Sequence, residues 1–125
     1  MQTILATGGT GYIGSHTCVE LLKKGYKVII IDSLVNSSQK VYSDISFLLN
    51  DKNIDDKFTF IKGDISDEKL VDHIFKTSQE KDEPISCVMH FAGLKSVSES
   101  LLNPLQYWNN NVGGSIIFHH LYHLL

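Results

Sequence analysis

Along the chain, compact apolar runs alternate with stretches where apolar residues recur every three or four positions. Thr3-Ile4-Leu5-Ala6-Thr7 is short, apolar and ends at glycines, which predicts a buried strand. From about Tyr12 to Lys24, the residues Ile13, Cys18, Leu21 and Leu22 fall on one helical face, while Glu20, Lys23 and Lys24 point away. Gly25 stands where a left-handed helix terminus is expected. Lys27 to Ile31 is β-branched and too apolar for a sheet wetted on one side, so it reads as a second buried strand. Val41, Ile45, Leu48 and Leu49 mark a second helix, followed by a charged, exposed loop from Asn50 to Lys57. Phe58 to Ile61 is a third strand. Ser66 is placed to cap the next helix, with Asp67 and Glu68 in its first turn and Leu70, Val71, Ile74 and Phe75 on its apolar face. Ile85 to His90 is a fourth strand, and Asn103-Pro104 opens a last helix running toward Leu125.

Strands alternating with helices predict an α/β fold: a Rossmann-type, doubly wound parallel sheet in three α/β/α layers. Right-handed crossovers give the strand order 3-2-1-4. Such a sheet normally continues beyond four strands, and the chain stops at Leu125 in what reads as mid-helix. The expectation is therefore that residues 1–125 form the N-terminal part of a Rossmann domain, truncated after the fourth strand and its helix.

The composition, 42% hydrophobic and 20% charged, is that of an ordinary globular chain. A net charge of -3, with every basic residue a Lys, gives no pull toward nucleic acid or anionic lipid. No apolar run approaches membrane-spanning length, and no signal segment follows Met1, so the cytoplasm is the default expectation. Cys18 and Cys87 read as reduced core thiols, since neither has a partner at ligand spacing. His119, His120 and His123 put two imidazoles at i, i+4 on one helical face, but no third ligand is in view, and they read as surface histidines rather than a metal site.

The chemistry concentrates at Thr7-Gly8-Gly9-Thr10-Gly11-Tyr12-Ile13-Gly14, between the first strand and first helix. Glycines there allow a sharp turn, let backbone approach a pyrophosphate, and bring helix and strand close together. The helix start offers free N–H groups to the phosphates. Asp32 ends the second strand, where a carboxylate about 20 residues past the glycines can accept hydrogen bonds from a ribose diol. It would repel a 2′-phosphate, which favours NAD over NADP. Gly63-Asp64-Ile65 reads either as an adenine-binding edge or as a turn before a capped helix.

These residues resemble the extended short-chain dehydrogenase/reductase family. Within it, Tyr12 to Thr17, Asp32 to Ser37, His90 to Lys95 and Asn103 to Val112 look like the branch that epimerises UDP-hexoses at C4. The resemblance implies a cofactor site of Gly8, Gly11, Tyr12, Ile13 and Gly14 at the pyrophosphate. Asp32, Ser33, Leu34, Val35, Asn36 and Ser37 would hold the adenosine ribose, and Asp64 and Ile65 the adenine. Phe91, Ala92, Gly93, Leu94, Lys95 and Asn110 would line the cofactor beyond the fourth strand. Lys95 also reads as a solvated lysine, and Asn109 to Asn111 as a simple kink. Ser33 and Ser98 depart from the family's usual Asn and Gly without removing a charge or a required glycine.

The implied reaction is NAD-dependent interconversion of UDP-glucose and UDP-galactose through a 4-keto sugar, in galactose metabolism. The family's base is a Tyr four residues before a Lys, and no Tyr here has that spacing. No catalytic residue is therefore assigned, and the segment alone is expected to be inactive. A UDP-sugar substrate and a homodimer are expectations for a full-length parent. A related nucleotide-sugar dehydratase or oxidoreductase, and a non-catalytic NAD-binding module, stand as alternatives.

Overall fold

The computed structural model describes residues 1–123, except for the side chains at 118 and 120–123. Four strands, β1 (Thr3–Thr7), β2 (Lys27–Asp32), β3 (Phe58–Lys62) and β4 (Ile85–His90), form one parallel sheet ordered β3-β2-β1-β4. The connecting helices are α1 (Tyr12–Lys23), α2 (Lys40–Leu49), α3 (Ile54–Lys57) and α4 (Glu68–Glu80). After β4 come α5 (Val97–Leu102), α6 (Pro104–Trp108), a π-helical turn (Asn109–Gly113) and α7 (Gly114–His123). This is the expected Rossmann-type sheet in the expected order.

The two-residue period of the strands divides the core. Ile4, Ala6, Val28, Ile30 and Phe58 pack with Cys18, Leu21, Leu22 and Ile45 beneath α1 and α2. Leu5 and Ile31 point the other way and meet Ile65, which precedes α4, and Val71, Ile74 and Phe75 of α4. Because β1 and β2 are covered on both faces, nearly every position in them must be apolar, which is why they read as continuous runs.

Several local expectations need correction. Ile13 and Leu48 were placed on apolar helix faces, yet both are exposed. Ile13 sits in the first turn of α1, ahead of the buried Cys18, Leu21 and Leu22. The cap of α4 is Asp67, whose carboxylate accepts from Leu70 N at 3.1 Å. Ser66 instead donates through both its N–H and its hydroxyl to Asp64 Oδ1. Asp67→Ala should therefore lower stability by about 1 kcal/mol, and Ser66→Ala by clearly less, as read by urea unfolding. The last helix is broken into α6, the π-helical turn and α7, with α5 preceding Asn103. Asn103 does precede a proline at the first helical position, but its side chain makes no capping bond.

Cys18 is buried, as expected, but Cys87 is exposed on β4. Burial pushes the Cys18 thiol up to about 12, so almost no thiolate forms there at ordinary pH. A thiol reagent at about pH 8, near the ordinary cysteine range, should modify Cys87 promptly and Cys18 only after denaturation. Rapid double labelling of the native chain, counted by mass spectrometry, would contradict this packing. His123 and His120 lie outside the described side chains, so the histidine pair is not placed. No helix among the described residues is long and apolar enough to cross a membrane.

Candidate functional site

The carboxyl ends of β1, β2, β3 and β4 open into a single cleft of about 600 Å³. In an open parallel sheet this edge, at the point where strand order reverses between β1 and β4, is where ligands bind. The floor is the turn from β1 to α1. Gly8 has φ of +66°, and a Cβ there would lie 2.7 Å from Ala92 N and 2.8 Å from the Phe91 carbonyl carbon. A Cβ on Gly14 would lie 2.5 Å from Gly8 O. Glycine is thus required at both positions, for the left-handed turn at one and for close backbone packing at both. Gly11, by contrast, has an ordinary φ of -71° and serves as N-cap of α1. No acidic residue occupies the first turn of α1, so its free N–H groups face the cleft without a competing carboxylate.

Asp32 joins two walls of the cleft. Its Oδ1 accepts from Leu34 N at 2.9 Å and Ser37 Oγ at 3.2 Å, and its Oδ2 accepts from Thr10 N at 3.1 Å. Thr10 Oγ1 lies 2.6 Å from Ser37 Oγ, which completes a ring of bonds between the glycine turn and the 33–37 loop. Oδ2, with a single protein donor, is the oxygen with capacity left for a hydroxyl ligand. Leu34 adopts a left-handed φ of 62°. That strain is held in place by its N–H bond to Asp32, a compensation of the kind expected at ligand clamps.

Across the cleft, Asn111 clamps the segment after β4. Its Oδ1 accepts from Leu94 N and its Nδ2 donates to Leu94 O, both at 2.8 Å. Asn110 Nδ2 donates to the same Oδ1 at 2.9 Å, which orients the Asn110 amide. The Tyr107 hydroxyl accepts from Ser96 N at 3.0 Å and donates to Glu99 Oε2 at 3.1 Å.

The cleft brings together Gly8, Gly11, Tyr12, Ile13, Gly14, Asp32, Ser33, Val35, Asn36, Ser37, Asp64, Ile65, Phe91, Ala92, Gly93, Leu94, Lys95 and Asn110. Of the residues proposed from sequence, Leu34 alone is not among the lining, because its left-handed backbone serves the loop's shape. Gly63, read from sequence as part of the adenine edge, lines it too, and so do Ile31, Ser96 and Glu99, which sequence reasoning missed. Nor were Thr10 and Asn111, which act through hydrogen bonds to other cleft residues. Thr10 could have been suspected from its place inside the glycine motif. Asn111 had no signal that set it apart from its Asn neighbours. Among the described residues no group of three or more His, Cys, Asp or Glu is arranged to hold a metal ion.

The family model described as GDP-mannose 4,6 dehydratase matches residues 5–121. The UDP-glucose 4-epimerase of Klebsiella pneumoniae is 45% identical over 113 residues, covering 90% of this chain and 74% of that protein. That of Yersinia pestis is 47% identical and covers 91% of this chain but 31% of its own length. The crystal structure of the Stenotrophomonas maltophila UDP-glucose 4-epimerase, with bound NAD and formylated UDP-arabinopyranose, superposes with a TM-score of 0.84 at 40% identity. That match covers 98% of this chain and 34% of the epimerase. The chain thus spans about a third or less of the length of most of the relatives it matches. It belongs to the nucleotide-sugar enzyme family that the dehydratase model describes and, within that family, to the UDP-glucose 4-epimerases.

Proposed function

We propose that residues 1–125 form the NAD-binding part of an enzyme that epimerises a UDP-hexose at C4, interconverting UDP-glucose and UDP-galactose in galactose metabolism. The observation that carries this reading is the bare glycine turn at Gly8 and Gly14, set beside a carboxylate, Asp32, with one oxygen still able to accept. A pyrophosphate fits the turn because no Cβ intervenes and the start of α1 supplies N–H donors. Asp32 Oδ2 takes a hydroxyl of the adenosine ribose, Val35 and Ile65 flank the adenine, and Asp64 Oδ2 accepts from its amino group. Oδ1 of Asp64 is already committed to Ser66. Phe91 to Lys95 and Asn110 line the half of the cofactor that lies across β1.

Bound NAD would supply a hydride acceptor and donor at the sugar's C4. This chain's residues bind and orient it; a Tyr-x-x-x-Lys base is not among residues 1–125. The segment alone is therefore read as inactive, with proton transfer and the uridine pocket belonging to a longer polypeptide, which acts as an epimerase in the cytoplasm, as a homodimer. The name of the matching family model raises dehydration as a second reading, but the relatives of Yersinia pestis, Klebsiella pneumoniae and Neisseria meningitidis, at 43–47% identity, are named UDP-glucose 4-epimerases. The test is calorimetry with NAD+ and a coupled assay for UDP-galactose conversion on the full polypeptide. NAD+ uptake with turnover is expected; the absence of NAD+ binding by folded protein would sink the proposal.

A further inference from the structure

His90 ends β4, immediately before the Phe91–Lys95 wall, and takes no part in the ligand contacts proposed above. Both ring nitrogens are engaged: Nδ1 lies 2.5 Å from Thr7 Oγ1, and Nε2 lies 2.9 Å from Ser115 Oγ. The Ser115 hydroxyl donates to Asn111 O at 2.7 Å, so its single hydrogen is committed. The hydrogen between Ser115 and His90 must then sit on Nε2. In an uncharged ring Nδ1 is bare, so the Thr7 hydroxyl donates to it while Thr7 Oγ1 accepts from Ala92 N at 3.2 Å. Burial lowers the His90 pKa, which agrees with a bare Nδ1 near neutral pH.

These bonds tie a third element to the paired ends of β1 and β4. They run from the π-helical turn through Ser115 to the end of β4, then to the end of β1, and back to Ala92. Ala92 is also the residue against which Gly8 packs without room for a Cβ. The turn itself is held by its own bonds, Gly8 N to Ile31 O at 2.9 Å and Gly11 N to Gly8 O at 3.1 Å, so a shift of Ala92 acts on the wall that follows it.

We propose that His90 is a positioning residue: through Thr7 and Ser115 it fixes the Phe91–Lys95 wall against the glycine turn, and so sets the half of the cleft that lies away from Asp32. The proposal rests on the NAD-binding reading and adds a residue that touches no part of the cofactor.

The test compares two ligands on the full polypeptide by calorimetry. ADP reaches only the Asp32 side and the glycine turn, whereas NAD+ spans both halves. His90→Ala should weaken NAD+ by roughly tenfold, a shift of about 1.4 kcal/mol, and leave ADP nearly unchanged. Ser115→Ala, which breaks only the Nε2 bond at a partly exposed site, should move NAD+ in the same direction by less. In His90→Asn the amide oxygen can take the Thr7 hydrogen bond, and most of the NAD+ affinity should return. If both variants weaken NAD+ and ADP equally, the role is merely structural; if neither weakens NAD+, there is no role. Either outcome overturns the proposal. Wild-type protein that binds ADP but not NAD+, or neither, instead removes the NAD-binding reading beneath it.

Discussion

Gly8→Ala should abolish useful NAD+ binding, weakening it on the order of 100-fold or more, and should also destabilise the fold. Two costs act together. An alanine at φ of +66° is strained by about 1–2 kcal/mol. Its Cβ would also sit 2.7 Å from Ala92 N and 2.8 Å from both Ala92 Cα and the Phe91 carbonyl carbon. Those neighbours are backbone at the end of β4, so they cannot rotate aside as a side chain would. Relief requires the β1–α1 turn to lift away from β4, which moves the N–H groups that would hold the pyrophosphate. Gly113→Ala is the matched control, since no heavy atom lies within 4 Å of its would-be Cβ and its φ is not left-handed. Thermal unfolding and NAD+ calorimetry on the two variants should separate widely. Equal behaviour would mean that the turn tolerates a side chain and is not built for a phosphate.

Asp32→Ala should weaken NAD+ by about 10- to 100-fold, because hydrogen bonds to a charged group are worth about 1.5–3 kcal/mol. The loss has two parts: the ribose contact itself, and the acceptor shared by Thr10 N, Leu34 N and Ser37 Oγ. Asp32→Asn keeps an oxygen for Leu34 while removing the charge, so it should lose less. Both variants should narrow the preference for NAD+ over NADP+, because the anionic wall facing a 2′-phosphate is gone. Calorimetric titration with each dinucleotide reads both effects. Unchanged NAD+ affinity in Asp32→Ala would remove the carboxylate from the site.

Most of the sheet was legible in the sequence, for a physical reason. β1 and β2 are buried on both faces, so Ile4-Leu5-Ala6 and Val28 to Ile31 carry no polar interruption and cannot be mistaken for one-sided strands. Once strands and helices alternate, handedness leaves few strand orders. The glycine turn was legible because backbone lies too close to Gly8 and Gly14 for any side chain there. What escaped depends on three-dimensional neighbours. Asp67 rather than Ser66 caps α4 because Asp64 competes for Ser66, a choice that pattern does not encode. The break at Asn109–Gly113 follows from Asn111 reaching across to both polar groups of Leu94. The run Asn109 to Asn111 reads as a kink from sequence, but nothing in it names Leu94, in the segment after β4, as the partner. Ile13 and Cys87 were misjudged because apolar character alone does not say whether a position is covered.

The alternation of Ile4 and Leu5 on β1 has a further consequence. Adjacent in sequence, they belong to separate clusters on opposite sides of one layer of backbone. The sheet is a partition, and a void opened on one side relaxes among its own neighbours without reaching the other. Truncations of Ile4 and Val28 share a compartment and should be energetically coupled, whereas truncations of Ile4 and Val71 should simply add.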